Sequence, residues 1–159
     1  MTSAKSSPAA HHAAKRLARL AAVQALYQNV YDQQPLNQII RDSLDSQFAS
    51  LREDVESAEK ITETPDEELF GAIVQGVAAN QTALDEMIAG ALDAKISAER
   101  LEILLRSILR AGAYELHHHG QMPIGVIIND YVDVTRAFFD GKEPGLVNGV
   151  LDKLAGKLR

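Results

Sequence analysis

Basic side chains cluster close to the start of the chain. Lys15, Arg16 and Arg19 are spaced so that a helix would present all three on one compact edge. Such an edge can follow RNA phosphates, and its arginines can make bidentate hydrogen bonds or stack on unpaired bases. Ordinary solvated helix faces carry similar residues. The cluster by itself therefore leaves an RNA-binding and a purely solvated interpretation open.

The charge of this region differs from that of the remaining chain. The first 31 residues contain no Asp or Glu, and their four Lys and Arg contribute a charge of +4. Because the whole chain has a formal net charge of -6, the residues that follow carry -10. A basic arm on an acidic body can bind nucleic acid locally while the body repels it elsewhere. A tail that merely lacks acidic residues is the alternative explanation.

Histidines and carboxylates do not form a recognisable catalytic or metal site. His117 to His119 are consecutive, and consecutive side chains on a helix point about 100° apart, so they cannot converge on one ion. Asp130 and Asp133 lie one turn apart and could share a proton, but no further catalytic residue accompanies them. The absence of cysteine excludes disulfides, thiolate nucleophiles and Cys-ligated metals. We expect no enzymatic activity, no cofactor and no bound metal.

The ten glycines form no nucleotide-binding motif. Gly71 and Gly76 have the spacing of a P-loop pair, but Val77 and Ala78 stand where Lys and Ser or Thr would be required. We expect these two glycines to allow close packing of helices instead.

The elements that carry these residues are predicted to be helices throughout. Apolar side chains recur at helical spacing in every periodic segment, and no strict alternation extends beyond three residues. We predict an all-α fold, a compact bundle of six or seven helices. The predicted helices start at Ala13, Pro35, Thr64-Pro65, Ser97, Met122-Pro123 and Pro144, with a break near Asn80.

Two of these helices have clear local signals. Thr64 suits an N-cap, Pro65 suits the first helical position, and Glu67 completes a capping box. The helix that contains Leu101 to Leu116 is apolar nearly all round. A helix of that kind is buried, so we expect it at the centre of the fold.

The N-terminal region combines a polar tail with an apolar helix. Residues 1–10 are small and polar, so we predict a disordered basic N-terminal tail, followed by a single all-helical domain over residues 11–159. The first helix is expected to run from Ala13 to Tyr31. Its predicted core side chains recur at helical spacing: Leu17, Leu20, Tyr27 and Val30 or Tyr31.

The location of the protein is predicted from what its segments lack. No apolar run approaches the roughly 20 residues that a membrane span needs, and the N-terminus has no apolar region of a secretory signal. Its Ser, Ala and Lys content is also typical of organellar transit peptides. We expect a cytoplasmic protein without membrane attachment.

Four stretches of the chain have distinctive sequences. They are Lys15–Tyr27 with its basic opening and AVQALY, Ile108–Leu116 (ILRAGAYEL), Pro123–Asp130 (a proline, then VIIND), and Val147–Lys153 (VNGVLDK). Together they resemble motifs of the NusB family of transcription antitermination factors. Each motif is modest alone. Their order, and their spread over most of the chain, make the resemblance specific.

This resemblance implies an all-α fold of two packed helical halves and a function. Together with the ribosomal protein NusE, the family binds the single-stranded boxA element of nascent ribosomal RNA, so that RNA polymerase resists termination. The resemblance assigns RNA contacts to Lys15, Arg16 and Arg19. It also assigns them to Phe138, before the final loop, and to Lys142 within that loop. For Phe138, burial is an equally good interpretation.

The chain departs from the family pattern at several positions. Leu17 stands where a third consecutive basic residue is often found, and Gly145-Leu146 replaces a Lys-Phe pair. Leu105 occupies a position, on the side facing NusE, where an acidic residue is common. We therefore hypothesise that Leu105 and Leu146 form part of an apolar docking surface for NusE. An apolar face of this kind would equally suit a homodimer.

Two other functions are compatible with the sequence. Helical domains of this type also precede RNA cytosine methyltransferases, where they help to position ribosomal RNA, and a pure protein-interaction module is the third possibility. We expect a free-standing factor, because no catalytic domain follows within the 159 residues. Four motif residues are expected only to cap helices or to join them by hydrogen bonds. They are Glu115, Asn129, Asn148 and Gly149.

Overall fold

The computed structural model describes residues 8–48, 66–118, 120 and 122–158. Within these ranges the chain forms seven α-helices and no strand, which confirms the predicted all-α class and helix number. The helices are α1 (Pro8–Tyr31), α2 (Leu36–Asp42), α3 (Glu67–Ala79), α4 (Gln81–Ala91), α5 (Ile103–His118), α6 (Ile124–Phe138) and α7 (Glu143–Leu158). The chain divides into two compact units, residues 1–71 and 72–159, with the boundary inside α3.

The first unit is built around α1, which packs against α2. A π-helical segment, Ser43–Phe48, continues directly from α2. The side chains predicted to form the core of α1 are only half-buried, and Tyr31 is exposed. Short side chains are buried instead, because alanine allows close approach of a neighbouring element. The buried apolar residues of α1 are Ala18, Ala21, Ala22, Val23, Ala25 and Leu26.

Two predicted segments can be compared with the structure only in part. Helix α1 begins at Pro8, so Pro8 to Ala10, which were assigned to a disordered tail, are helical. Residues 1–7 lie outside the described residues, as do Thr64 and Pro65. The single domain over residues 11–159 stays a prediction.

The N-cap of α3 is Asp66, whereas the sequence predicted Thr64 as the N-cap. The Asp66 side-chain Oδ1 accepts a hydrogen bond from the Leu69 N–H at 3.0 Å, and the Asp66 carbonyl accepts one from Phe70. The side-chain contact satisfies the Leu69 N–H, one of the backbone donors that the first turn leaves without a helical partner, and the Phe70 contact is the first regular hydrogen bond of the helix. At the other end, Asn80 separates α3 from α4, as the sequence predicted.

The second unit has α5 at its centre. Helices α5, α6 and α7 pack against one another, and α4 packs against both α5 and α7. Ten of the sixteen residues of α5 are buried, which confirms its predicted central position. The helix begins at Ile103, because Ser97 instead precedes a short 3₁₀ turn, Ala98–Arg100.

Buried polar side chains of α5 are paired with residues of neighbouring helices. The Tyr131 hydroxyl on α6 donates to Glu115 Oε2 at 2.5 Å, and both residues have essentially no exposed surface. Arg110 forms two hydrogen bonds to the Asp85 carboxylate of α4, at 2.7 and 2.9 Å. Glu115 therefore does join two helices, as expected. Asn129, Asn148 and Gly149 are exposed, and their expected structural roles stay predictions.

The two glycines with P-loop spacing have different surroundings. A Cβ atom added to Gly76 would collide with the aromatic ring of Tyr114, so α3 and α5 approach closely at this point. Around Gly71 no atom lies within 4 Å of the added Cβ position. The prediction of close packing is therefore confirmed for Gly76 and wrong for Gly71.

Candidate nucleic-acid interface

Lys15 is half-buried and forms an ion pair within the first unit. Its ammonium Nζ lies 3.2 Å from Asp66 Oδ2, and the backbone N–H of Asp66 donates to the carbonyl of Ala14 at 3.1 Å. Partial burial raises the pKa of the Asp66 carboxyl. The Leu69 N–H and the Lys15 ammonium outweigh that effect and hold the pKa below its ordinary value. Much of the Lys15 charge is thus offset locally.

Arg16 and Arg19 occupy different environments, although they lie only three residues apart. The Arg16 side chain is exposed, whereas Arg19 has no exposed surface. The prediction of one exposed cationic edge is therefore wrong for Arg19 and only partly right for Lys15. Arg19 follows Ala18 on the alanine-rich face that α1 buries. Of the three basic residues, Arg16 alone is fully presented to solvent.

The C-terminal end of α1 carries a pair of aromatic rings. Tyr27 and Tyr31 stack with ring centroids 5.4 Å apart and an interplanar angle of 18°. Tyr31 is 64% exposed, more than any other large hydrophobic residue in the part of the chain that the structure describes. This surface was not predicted from the sequence, because Tyr27, and either Val30 or Tyr31, were expected to lie in the core. Their spacing of four residues was the available signal, since such side chains meet on a helix.

Phe138 and Lys142 lie on either side of a short loop in the second unit. Phe138 is the last residue of α6 and is 39% exposed, which argues against its interpretation as a core residue. Lys142 is exposed, and its carbonyl accepts a hydrogen bond from the Leu146 N–H in the first turn of α7. The structure thus presents an aromatic ring and a cation at the two ends of one connection.

Leu105 and Leu146 do not share the exposure that a docking surface needs. Leu105 is buried in the core of the second unit, on the central helix α5. Its assignment to a partner-binding surface is wrong, because a partner cannot reach it without disrupting that core. Leu146 is half-buried near the start of α7 and remains accessible in part.

Among the residues that the structure describes, the other histidines and carboxylates form no catalytic arrangement. Asp130 is buried, whereas Asp133 is exposed and pairs with Arg136 at 3.1 Å, so the two aspartates do not act as a pair. His117 and His118 are exposed in the last turn of α5. Within the described ranges, no three or more His, Asp or Glu side chains are grouped so that they could hold a metal ion. In the same ranges no helix has the length and apolarity to span a membrane.

A protein-family model agrees with the motifs that the sequence presents. The model described as the NusB family matches residues 16–156. The chain belongs to the NusB family. The match includes Arg16, Arg19, Phe138 and Lys142, whereas Lys15 lies immediately before it.

Curated relatives cover nearly the whole chain. The transcription antitermination protein NusB of Sphingopyxis alaskensis is 41% identical over 142 residues, which is 89% of this chain and 92% of the relative. That of Caulobacter vibrioides is 38% identical over 145 residues, covering 91% of this chain and 94% of the relative. Both alignments extend through nearly full-length NusB proteins.

Solved structures of NusB proteins have the same fold. T. maritima NusB is 26% identical, with a TM-score of 0.68, and the match covers 89% of this chain and 90% of the other. A crystal structure of the antitermination factors NusB and NusE in complex with dsRNA matches at 24% identity and a TM-score of 0.68. That match covers 89% of this chain and 96% of the other. At this identity the second likeness shows the NusB fold alone.

The stretches by which the chain resembles the NusB family contribute largely to its core. In Val147–Lys153, the side chains of Val147, Val150 and Leu151 are buried. In Ile108–Leu116, only Tyr114 is not fully buried. NusB-family resemblance therefore reports mainly on packing in the second unit. Among the residues that the resemblance assigns to RNA, Arg16, Phe138 and Lys142 are exposed.

Proposed function

We propose that this NusB-family chain is a cytoplasmic transcription antitermination factor. It binds single-stranded boxA-type RNA of ribosomal RNA transcripts together with the ribosomal protein NusE, and it prevents premature termination by RNA polymerase. The observation that carries the proposal is the 41% identity to a transcription antitermination protein over nearly its full length. The solved structure of NusB and NusE in complex with dsRNA shares the fold of this chain, which is compatible with partners of these two classes.

The exposed cation of α1 supports RNA as one ligand. Arg16 lies in a segment, residues 1–31, that contains no acidic residue, so nothing in that segment repels a phosphate. A guanidinium can bind a phosphate through two parallel hydrogen bonds. Lys15 can add to this attraction only by sharing its charge with Asp66. We assign the main phosphate contact of α1 to Arg16 and a weaker contact to Lys15. Arg19 is buried, so we assign it no direct contact with RNA.

The loop between α6 and α7 is the proposed contact of the second unit. Phe138 offers an exposed ring on which a base can stack, and Lys142 offers a charge for an adjacent phosphate. Leu146 follows in the first turn of α7 and is the remaining candidate for a NusE contact. These roles extend the family assignment to residues that the fold leaves accessible.

The test is a salt titration of RNA binding by the wild type and by Arg16→Ala. Each phosphate that a protein neutralises on single-stranded RNA contributes about −0.7 to the slope of log K against log salt. Arg16→Ala should flatten the slope by about that amount and weaken binding to boxA-type RNA in the presence of NusE. Because Arg16 is exposed, the free energy of unfolding should change by less than about 0.5 kcal/mol.

Arg100→Ala is the matched control, since it removes an arginine that is also exposed, from the short 3₁₀ turn of the second unit. It should leave the slope unchanged. A scrambled RNA of the same length separates sequence-specific from general binding. If Arg16→Ala binds RNA with the affinity and salt slope of the wild type, Arg16 makes no phosphate contact. If the wild type itself binds no RNA in the presence of NusE, a protein-interaction module becomes the better explanation.

A further inference from the structure

One face of α1 presents a line of accessible side chains from Arg16 to Tyr31. The residues at spacings of 4, 4, 3 and 4 lie on the same side of a helix. We call them the α1 stripe: Arg16, Leu20, Gln24, Tyr27 and Tyr31. Arg16, Gln24 and Tyr31 are exposed, and the other two are half-buried. The stripe is about 22 Å long, from the rise of 1.5 Å per residue.

We propose that Tyr31 forms a base-stacking subsite for single-stranded RNA at the C-terminal end of the α1 stripe. Tyr27 covers one face of the Tyr31 ring, and the 64% exposure of Tyr31 leaves the opposite face to solvent. Every nucleobase has a flat π-face, so an exposed ring of this kind binds unpaired bases with little preference for sequence. This inference rests on the proposed RNA-binding function and extends it to a residue outside the basic cluster.

The polar side chains along the α1 stripe favour one orientation of a single RNA strand. Arg16 can hold a phosphate at one end, and Gln24 offers an amide for hydrogen bonds in the middle. Tyr31 is followed by the exposed carboxylate of Asp32, which repels a phosphate at that end. A base rather than the backbone of the RNA is therefore the part that Tyr31 receives.

The last turns of α1 are held in place by the loop that follows. Asn29 Nδ2 donates to the Gln34 carbonyl at 2.7 Å, and Gln28 Nε2 donates to Gln34 Oε1 at 3.1 Å. Between them the backbone of Gln33 has a φ of 56°, in the left-handed region that non-glycine residues rarely adopt. These contacts fix the chain reversal after Tyr31. The ring therefore sits on an ordered helix end, which lowers the entropy lost when a base binds.

The test compares Tyr31→Ala with Tyr31→Phe in titrations of full-length protein with a boxA-type single-stranded oligonucleotide and NusE. Loss of one stacking partner should weaken binding of Tyr31→Ala by about 5- to 150-fold. Tyr31→Phe keeps the aromatic face and should bind within about twofold of the wild type. The salt slope of Tyr31→Ala should equal that of the wild type, because no phosphate contact is removed.

Three results would overturn the subsite. If the wild type binds RNA and Tyr31→Ala binds it equally well, the stacking proposal fails while the proposed function stands. If the wild type binds no RNA with NusE present, both fail together. If Tyr31→Ala instead dissociates a homodimer in sedimentation measurements, the exposed ring belongs to a contact between copies of the chain.

Discussion

Helices α1 and α5 both carry arginines within stretches that resemble the same family, yet they use polar side chains differently. On α5, Arg110 and Glu115 are buried and are paired with Asp85 of α4 and Tyr131 of α6. On α1, Arg16 and Gln24 face solvent. Polar groups of α5 hold neighbouring helices in place, whereas those of the α1 stripe lie at the surface. Residue type alone does not distinguish the two roles. Whether a polar side chain pairs with a neighbouring helix or lies at the surface depends on the helix face that carries it.

The largest expected effect on stability comes from the apolar side of α5. Ile108→Ala removes a fully buried side chain and should lower the free energy of unfolding by about 2–5 kcal/mol, because it leaves a cavity. Chemical denaturation followed by circular dichroism measures this change. Folded Ile108→Ala should still bind RNA with wild-type affinity. If the free energy of unfolding fell by less than about 0.5 kcal/mol, Ile108 would behave as an exposed residue, and the central position of α5 would be wrong.

A smaller effect is expected from the buried hydrogen bond between α5 and α6. Tyr131→Phe removes the hydroxyl that donates to Glu115, so a buried carboxylate loses one donor. The expected cost is about 1–3 kcal/mol of unfolding free energy, measured in the same denaturation experiment. Tyr31→Phe is the control on α1, since it removes an exposed hydroxyl and should cost less than about 0.5 kcal/mol. If both variants lowered the free energy of unfolding equally, the hydroxyl of Tyr131 would contribute no more to stability than the exposed hydroxyl of Tyr31.

The smallest effect is expected where Asp66 joins the start of α3 to Lys15 of α1. Asp66→Ala removes both the N-cap and the ion pair, and it should cost about 0.5–2 kcal/mol of unfolding free energy. Asp66→Asn can still cap the helix. It should therefore retain most of that stability and lose only the partly exposed ion pair, which contributes about 0–1 kcal/mol.

The pH dependence of these variants gives an independent measurement. The native pKa of Asp66 lies below the ordinary value of 3.8, so the charged carboxylate stabilises the fold above that pH. The contribution disappears as the pH falls through the lowered native pKa. The stability difference between wild type and Asp66→Asn should therefore be constant near neutral pH and shrink in strong acid. A difference that persists after Asp66 is protonated would exclude the ion pair as its cause.

Local signals predicted the helices, but not which side chains they bury. The break at Asn80, the start of α6 after Pro123 and the central position of α5 follow from caps, prolines and apolar periodicity, which act over a few residues. The burial of Arg19 and Leu105 depends on neighbouring elements that are distant in sequence. The α1 core was missed for the same reason, because its alanines read as helix formers rather than as packing residues.

The candidate site was predicted in part. Arg16, Phe138 and Lys142 are exposed, as an RNA contact requires, whereas Arg19, which was also predicted to bind RNA, is buried. Leu105, which was predicted to contact NusE, is buried as well. Tyr31 escaped sequence analysis because an aromatic residue at helical spacing is normally a core residue. Tyr31 is exposed because α1 buries its alanine-rich face, and Tyr31 lies on a different face of the helix.

The contact between Gly76 and Tyr114 couples two positions that are distant in sequence. Any side chain at residue 76 would displace the Tyr114 ring, and the imidazole of His118 stacks on that ring at 4.6 Å. The displacement caused by a methyl group at residue 76 of α3 would therefore extend to His118 at the exposed end of α5. A smaller residue at position 114 would relieve this collision. Single substitutions at these sites would be epistatic, and their effects on stability would not add.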